Sequence, residues 1–219
     1  MKNKLTGNQD EREKARELTP AEQRRLQAFE TLSETMIGQG FRRAELTVSI
    51  VRANFFAAVL MIPLMILGFG LFILKNRGFV LNMRPTGLLL FLVVMFAMIV
   101  VHELIHGLSW AVFAEHYWKD IEFGFMKQYL TPYCCCGVPL SKGQYIFGAL
   151  MPLIVLGVFP MIAGILTGSM PVLFLGIILA DGAAGDILIV WKILSYRSEA
   201  EQLVYIDHPT QAGGVIFEK

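Results

Sequence analysis

Three residues in the apolar run VVMFAMIVVHELIHGLSWAVF (Val93 to Phe113) carry ionisable groups: His102, Glu103 and His106. On a helix, positions i and i+4 share a face, so both imidazoles can address one ion. Glu103 is turned about 100° from His102, within reach of a water on that ion. The set suits Zn2+, which takes imidazole nitrogen and lowers the pKa of a bound water to about 7. Glu103 would take the proton from that water and later deliver it to a leaving amine. At mid-membrane each ionisable group costs about 2.5–3.5 kcal/mol, so three placed together call for a compensating role. The bland alternative is a hydrogen-bonded cluster between helices.

Zinc needs at least one more protein ligand. A third histidine six residues after the second is excluded, because that position is Val112. The candidates are Asp181 and Asp186, in IILADGAAGDILIVW, then Glu115, His116 and Glu122. Depth favours Asp186. At 1.5 Å per residue His102 lies ~24 Å and His106 ~30 Å below Thr86, Asp186 lies ~22 Å below Pro171, and Asp181 only ~15 Å. Asp181 stands about 140° round a continuous helix from Asp186, so both do not face one ion, and it is kept as the alternative ligand or as an orienting acceptor. Gly182, Ala183, Ala184 and Gly185 are expected to let this helix approach the histidine helix closely.

These residues must be held by membrane elements. The chain has 219 residues, 55% hydrophobic, with a mean hydropathy of +0.55, above the ~45–50% apolar content of ordinary soluble domains. The excess lies beyond the first fifty residues, in four runs that reach the roughly 20 residues a bilayer requires. They are Ala53–Leu74, Thr86–Phe113, Tyr145–Gly168 and Pro171–Leu194. The expected fold is an all-α membrane protein of four transmembrane helices, with a short β-hairpin between the second and third and an amphipathic N-terminal helix. Three segments follow: 1–52, cytoplasmic; 53–195, the membrane domain; and 196–219, a cytoplasmic tail.

Met1 to about Leu18 is charged and without apolar periodicity, and is expected to be disordered. A helix over about 20–37 follows from Thr19 as N-cap, Pro20 in the first turn and Glu22 completing a capping box. Leu26, Phe29, Leu32 and Met36 form its apolar stripe. No signal peptide is visible, so the first membrane helix must direct insertion. Placing both termini in the cytoplasm puts 16 of the 19 Lys and Arg residues inside, as the positive-inside rule asks. The expected location is therefore the cell membrane, multi-pass, with the lipid bilayer as solvent.

Between the second and third spans, Ile121, Phe123 and Phe125 alternate with Glu122, Gly124 and Met126, the period of a half-buried strand. A second strand through Tyr129 to Cys136 would leave an edge for an extended substrate. Cys134, Cys135 and Cys136 are the only cysteines, which rules out a disulfide framework. Adjacent strand residues point to opposite faces, so the three cannot share one ion. A structural role is favoured, with lipidation next. No basic run points to nucleic acid, and a net charge of +1 selects no partner.

With HELIHG at His102–Gly107 and GD at Gly185–Asp186, the chain resembles the zincin peptidases of small multi-pass membrane proteins, a family similar to site-2 proteases. GALMPL at Gly148–Leu153 and the YIDHPTQAGGV tail from Tyr205 support the likeness, which covers about Thr86 to Val215. The resemblance implies an intramembrane zinc metallopeptidase in which His102, His106 and Asp186 bind zinc and Glu103 is the general base. Site-2 proteases carry a Leu-Asp-Gly or Asn-Pro element around the third ligand. The nearest equivalent here is Asp181–Gly182, so both aspartates stay open. Asp207 and His208 match family positions without a chemistry of their own.

The leading expectation is a zinc metalloendopeptidase cutting a membrane-spanning or membrane-proximal peptide near the cytoplasmic face. A non-catalytic zinc-binding membrane regulator is the alternative. A metal transporter is disfavoured by the single site and the lack of an inverted repeat.

Overall fold

A computed structural model describes residues 18–78, 84–126 and 131–219. The segment expected to be disordered, Leu18 apart, and the expected strand start at Tyr129 lie outside the described residues. The chain runs α1 (Pro20–Gly38), β1 (Arg42–Thr47), α2 (Ile50–Asn76), α3 (Pro85–Ala111), β2 (Ile121–Met126), β3 (Thr131–Cys136), α4 (Lys142–Thr167), α5 (Met170–Gly182), α6 (Ala184–Ser195), β4 (Leu203–Asp207) and β5 (Gly213–Glu218). A single 3-10 turn, Tyr117–Asp120, links α3 to β2.

α2, α3 and α4 are each long and apolar enough to cross a membrane. α5 and α6 meet that test only as a pair, bent by 46° at Ala183. Lipid-soluble side chains such as Phe55, Leu74 and Leu89 cover the outer faces of α2 and α3. Within α4 the backbone widens to a π-helical stretch over Leu153–Val158, directly after Pro152, whose ring cannot occupy a regular helix interior without displacing the preceding carbonyl.

The expected all-α architecture needs one correction, because β1, β5 and β4 form a three-stranded antiparallel sheet in that order. Arg42 pairs with Glu218 and Thr47 with Gly213, while Leu203 pairs with Glu218 on the far edge. The tail is thus part of the fold, joined to a strand that precedes the first long helix. The period of two splits the sheet's side chains cleanly. Ile206, Val215 and Phe217 pack with Phe29 and Met36 of α1. Tyr205 and Ile216 turn the other way, toward Tyr145 of α4 and Val190 and Ile193 of α6.

α1 starts where a capping box sets it: Thr19 Oγ1 accepts from the Glu22 N–H at 3.3 Å, and the Thr19 N–H donates to Glu22 Oε2 at 2.9 Å. The buried face of α1 includes Glu22, Arg25, Phe29, Ser33 and Met36. It is therefore rotated from the all-apolar stripe expected through Leu26, and two charged residues face inward. Arg25 repays that burial with three acceptors: Pro209 O (2.6 Å), Glu122 Oε2 (3.3 Å) and Tyr133 Oη (3.1 Å).

Candidate metal centre

His102 and His106 face one side of α3 near its C-terminal end, one helical turn apart. Asp186 reaches them from the first turn of α6, where the free backbone N–H groups of a helix start favour a carboxylate. His102 Nε2 lies 3.2 Å from Asp186 Oδ2 and 3.1 Å from His106 Nε2, and His106 Nε2 lies 3.5 Å from Asp186 Oδ1.

The protonation of His106 follows from its other nitrogen. Nδ1 stands 2.9 Å from the Gly148 carbonyl oxygen, an acceptor only, so Nδ1 carries the proton. In the neutral ring Nε2 then offers a lone pair to His102 and Asp186. Two imidazole nitrogens and a carboxylate converge on one point, and each can present a lone pair there. The donor set fits a cation: ligand atoms on a tetrahedron around zinc at about 2.0–2.1 Å stand ~3.3 Å apart, beside the 3.1–3.5 Å found here. Among the described residues, these three form the one group of His, Cys, Asp or Glu side chains able to hold a metal ion.

Local sequence explains the placement. An added Cβ on Gly148 would fall 2.0 Å from Trp110 Nε1, and one on Gly107 2.5 Å from Phe123 Cζ. The first glycine lets α4 press its carbonyl onto His106; the second lets β2 lie across α3. Trp110 stacks on His106, with centroids 5.1 Å apart and planes 15° apart, and its Nε1–H donates to Tyr145 O at 3.1 Å.

Glu103 lines the same cavity of about 240 Å³ as the two histidines and Asp186. β2 and β3 pair from Ile121 with Cys136 to Met126 with Thr131. Gly137 N–H bonds to Asp120 O, so the alternation of antiparallel pairing turns the N–H groups of Cys134 and Cys136 away from β2. That of Cys134 lies on the side of Glu103; that of Cys136 donates to Asp207 Oδ2 at 2.7 Å.

The other candidates are not gathered here. Asp181 lies outside the cavity lining, and its Oδ1 is buried without a hydrogen-bond partner. His116 pairs with Asp120 at 3.3 Å on the surface, Glu122 pairs with Arg25, and Glu115 is exposed. Gly182 and Gly185 do not seat α5 and α6 against α3 as expected: they line the cavity, and a Cβ on either would meet open space. Their smallness keeps the site open. Cys135 and Cys136 are buried and Cys134 lines the cavity. Burial, with Asp207 adding to it, pushes the Cys136 thiol up to about 12 and that of Cys135 well above its usual value, so both stay protonated and make poor ligands.

Sequence reasoning assigned no chemistry to Asp207 and His208, yet both line the cavity and are nearly fully buried. Burial pushes the Asp207 carboxyl up to about 6, against the lowering effect of the Cys136 N–H and Tyr145 hydroxyl bonds. His208 Nδ1 accepts from the N–H groups of Thr210 and Gln211 at 3.2 and 3.0 Å. An aspartate ending a strand in a polar-looking tail gave little sign of this.

Residues 95–200 match a family model described as "Putative zincin peptidase". The match spans His102, Glu103, His106 and Asp186 and supports a zinc metallopeptidase. No curated protein and no solved structure matches the chain.

Proposed function

We propose, from the likeness of residues 95–200 to zincin peptidases, that this chain is an intramembrane zinc metalloendopeptidase. It would hydrolyse a peptide bond in a membrane-spanning or membrane-proximal substrate near the cytoplasmic face. One observation carries the reading: His102 Nε2, His106 Nε2 and the Asp186 carboxylate converge from two helices in a cavity that Glu103 also lines.

In this reading His102, His106 and Asp186 hold the ion, with Asp181 set aside because its carboxylate lies outside the cavity lining. Bound zinc would supply Lewis acidity, acidifying a water and polarising the scissile carbonyl. Glu103 takes the proton from the attacking water and returns it to the leaving amine. The Gly148 carbonyl fixes the His106 tautomer, and β3 lies beside Glu103 at Cys134. The basic-residue count supports a multi-pass protein of the cell membrane with both termini cytoplasmic.

The test uses the purified full chain in proteoliposomes with a mixture of quenched fluorescent peptides. Wild type should cleave only when zinc-loaded. Glu103→Gln should keep its zinc and lose at least ~100-fold in rate, the lower range for removing a general base. Cleavage by that variant at the wild-type rate overturns the assignment, and zinc bound without cleavage in any reconstitution favours a regulator.

A further inference from the structure

Beyond the metal-ligating cluster, a nearly fully buried carboxylate at this cavity belongs to Asp207, the last residue of β4. Each of its oxygens is taken by a different element: the Tyr145 hydroxyl of α4 donates to Oδ1, and the Cys136 N–H of β3 donates to Oδ2. Both donors lead back to the site. One turn along α4 from Tyr145, the Gly148 carbonyl takes the His106 Nδ1–H, and Tyr145's own carbonyl takes the Nε1–H of Trp110, which stacks on His106. Two residues back along β3 from Cys136, Cys134 lines the same cavity as Glu103.

We propose that Asp207 is a positioning residue for the metal centre: by clamping Tyr145 and Cys136 together it sets the α4 carbonyl that orients His106 and seats β3 beside Glu103. The inference rests on the metallopeptidase reading. Asp207 touches none of the proposed ligands; it acts through the helix and the strand it ties together. Partners that orient a metal ligand through its second nitrogen typically change metal affinity 10–100-fold. A role confined to anchoring the tail would lower the melting temperature and leave the affinity of the folded protein alone.

The test titrates Co2+ into the purified full chain in detergent, reading its visible d–d absorption and, by competition, Zn2+ affinity. Tyr145→Phe removes one hydroxyl and Asp207→Asn keeps the side-chain shape. Both should bind Co2+ about 10–100-fold more weakly, with shifted absorption bands, at temperatures where circular dichroism shows them folded. Tyr205→Phe removes a buried hydroxyl that has no hydrogen-bond partner, and should change neither readout. If Asp207→Asn fails to fold, Tyr145→Phe decides alone. Wild-type affinity and spectrum in the folded variants overturn the positioning role while leaving the metal site intact. A wild type that binds neither Co2+ nor Zn2+ overturns the metallopeptidase reading and the positioning role with it.

Discussion

The Nδ1–H of His106 donates to the carbonyl oxygen of Gly148 at 2.9 Å, across a close approach of two helices. This contact directs the remaining lone pair of the ring at Asp186, and it exists only because residue 148 has no side chain. Gly148→Ala would drive a Cβ into the Trp110 ring, whose nearest atoms lie at 2.0–2.7 Å. Overpacking of this kind costs about 1–3 kcal/mol or more. We expect a lowered melting temperature together with weakened zinc binding, whereas Gly143→Ala, in open space, changes neither. Thermal unfolding followed beside metal content reads both.

Asp186 and Asp181 are separated by the bend at Ala183 and stand in different surroundings. Zinc retained after dialysis against a weak chelator should fall to background in His102→Ala, His106→Ala and Asp186→Ala. It should stay near one equivalent in Asp181→Ala. The reverse pattern for the two aspartates would move the third ligand to Asp181.

Burial raises the Asp207 carboxyl from 3.8 to about 6, so between those values the folded chain holds a proton that the unfolded chain has released. Linkage then makes stability fall as pH rises through that window, by up to about 3 kcal/mol at ~1.4 kcal/mol per unit. Asp207→Asn lacks this titration. Melting temperatures of wild type minus variant should therefore shift against the wild type from pH 4 to pH 6 and level off above. A difference that is flat across the window would show that Asp207 is not held in this way.

Arg25 ties α1 to the tail through Pro209 and to the hairpin through Glu122 and Tyr133, beside the nearly inaccessible Cys135. In a chain carrying Cys134→Ser and Cys136→Ser, Arg25→Ala should raise the rate at which a hydrophilic maleimide labels Cys135 by roughly tenfold. That is what about 1.4 kcal/mol of lost closure would allow. Mass spectrometry after timed quenching gives the rate, and an unchanged rate would mean that apolar packing alone holds α1 down.

Much of this was legible in the chain because the signals were strong and local. Long apolar runs gave the long helices, and Thr19, Pro20 and Glu22 marked the start of α1. The i, i+4 spacing placed His102 beside His106, and a depth count matched Asp186 to their level although α5 and α6 are not one straight helix. What escaped was non-local. β1 reads RRAELT, whose arginines and glutamate hide a strand that gains its partner from the other end of the chain. Arg25 stands outside the apolar stripe expected for α1, and nothing near it in sequence reveals that Pro209, Glu122 and Tyr133 surround it. Asp207 was silent for the same reason: its donors lie 62 and 71 positions away.

The pairing of β1 with β5 sets a parity rule. A strand preceding the first apolar helix and a strand following the last hydrogen-bond directly to each other, which places both on one side of any barrier the intervening chain traverses. An odd number of crossings would separate them, so α2, α3 and α4 cannot be the whole complement. If these three cross, the kinked α5–α6 unit must cross as well, carrying Asp186 back toward the side where β1 and β5 pair.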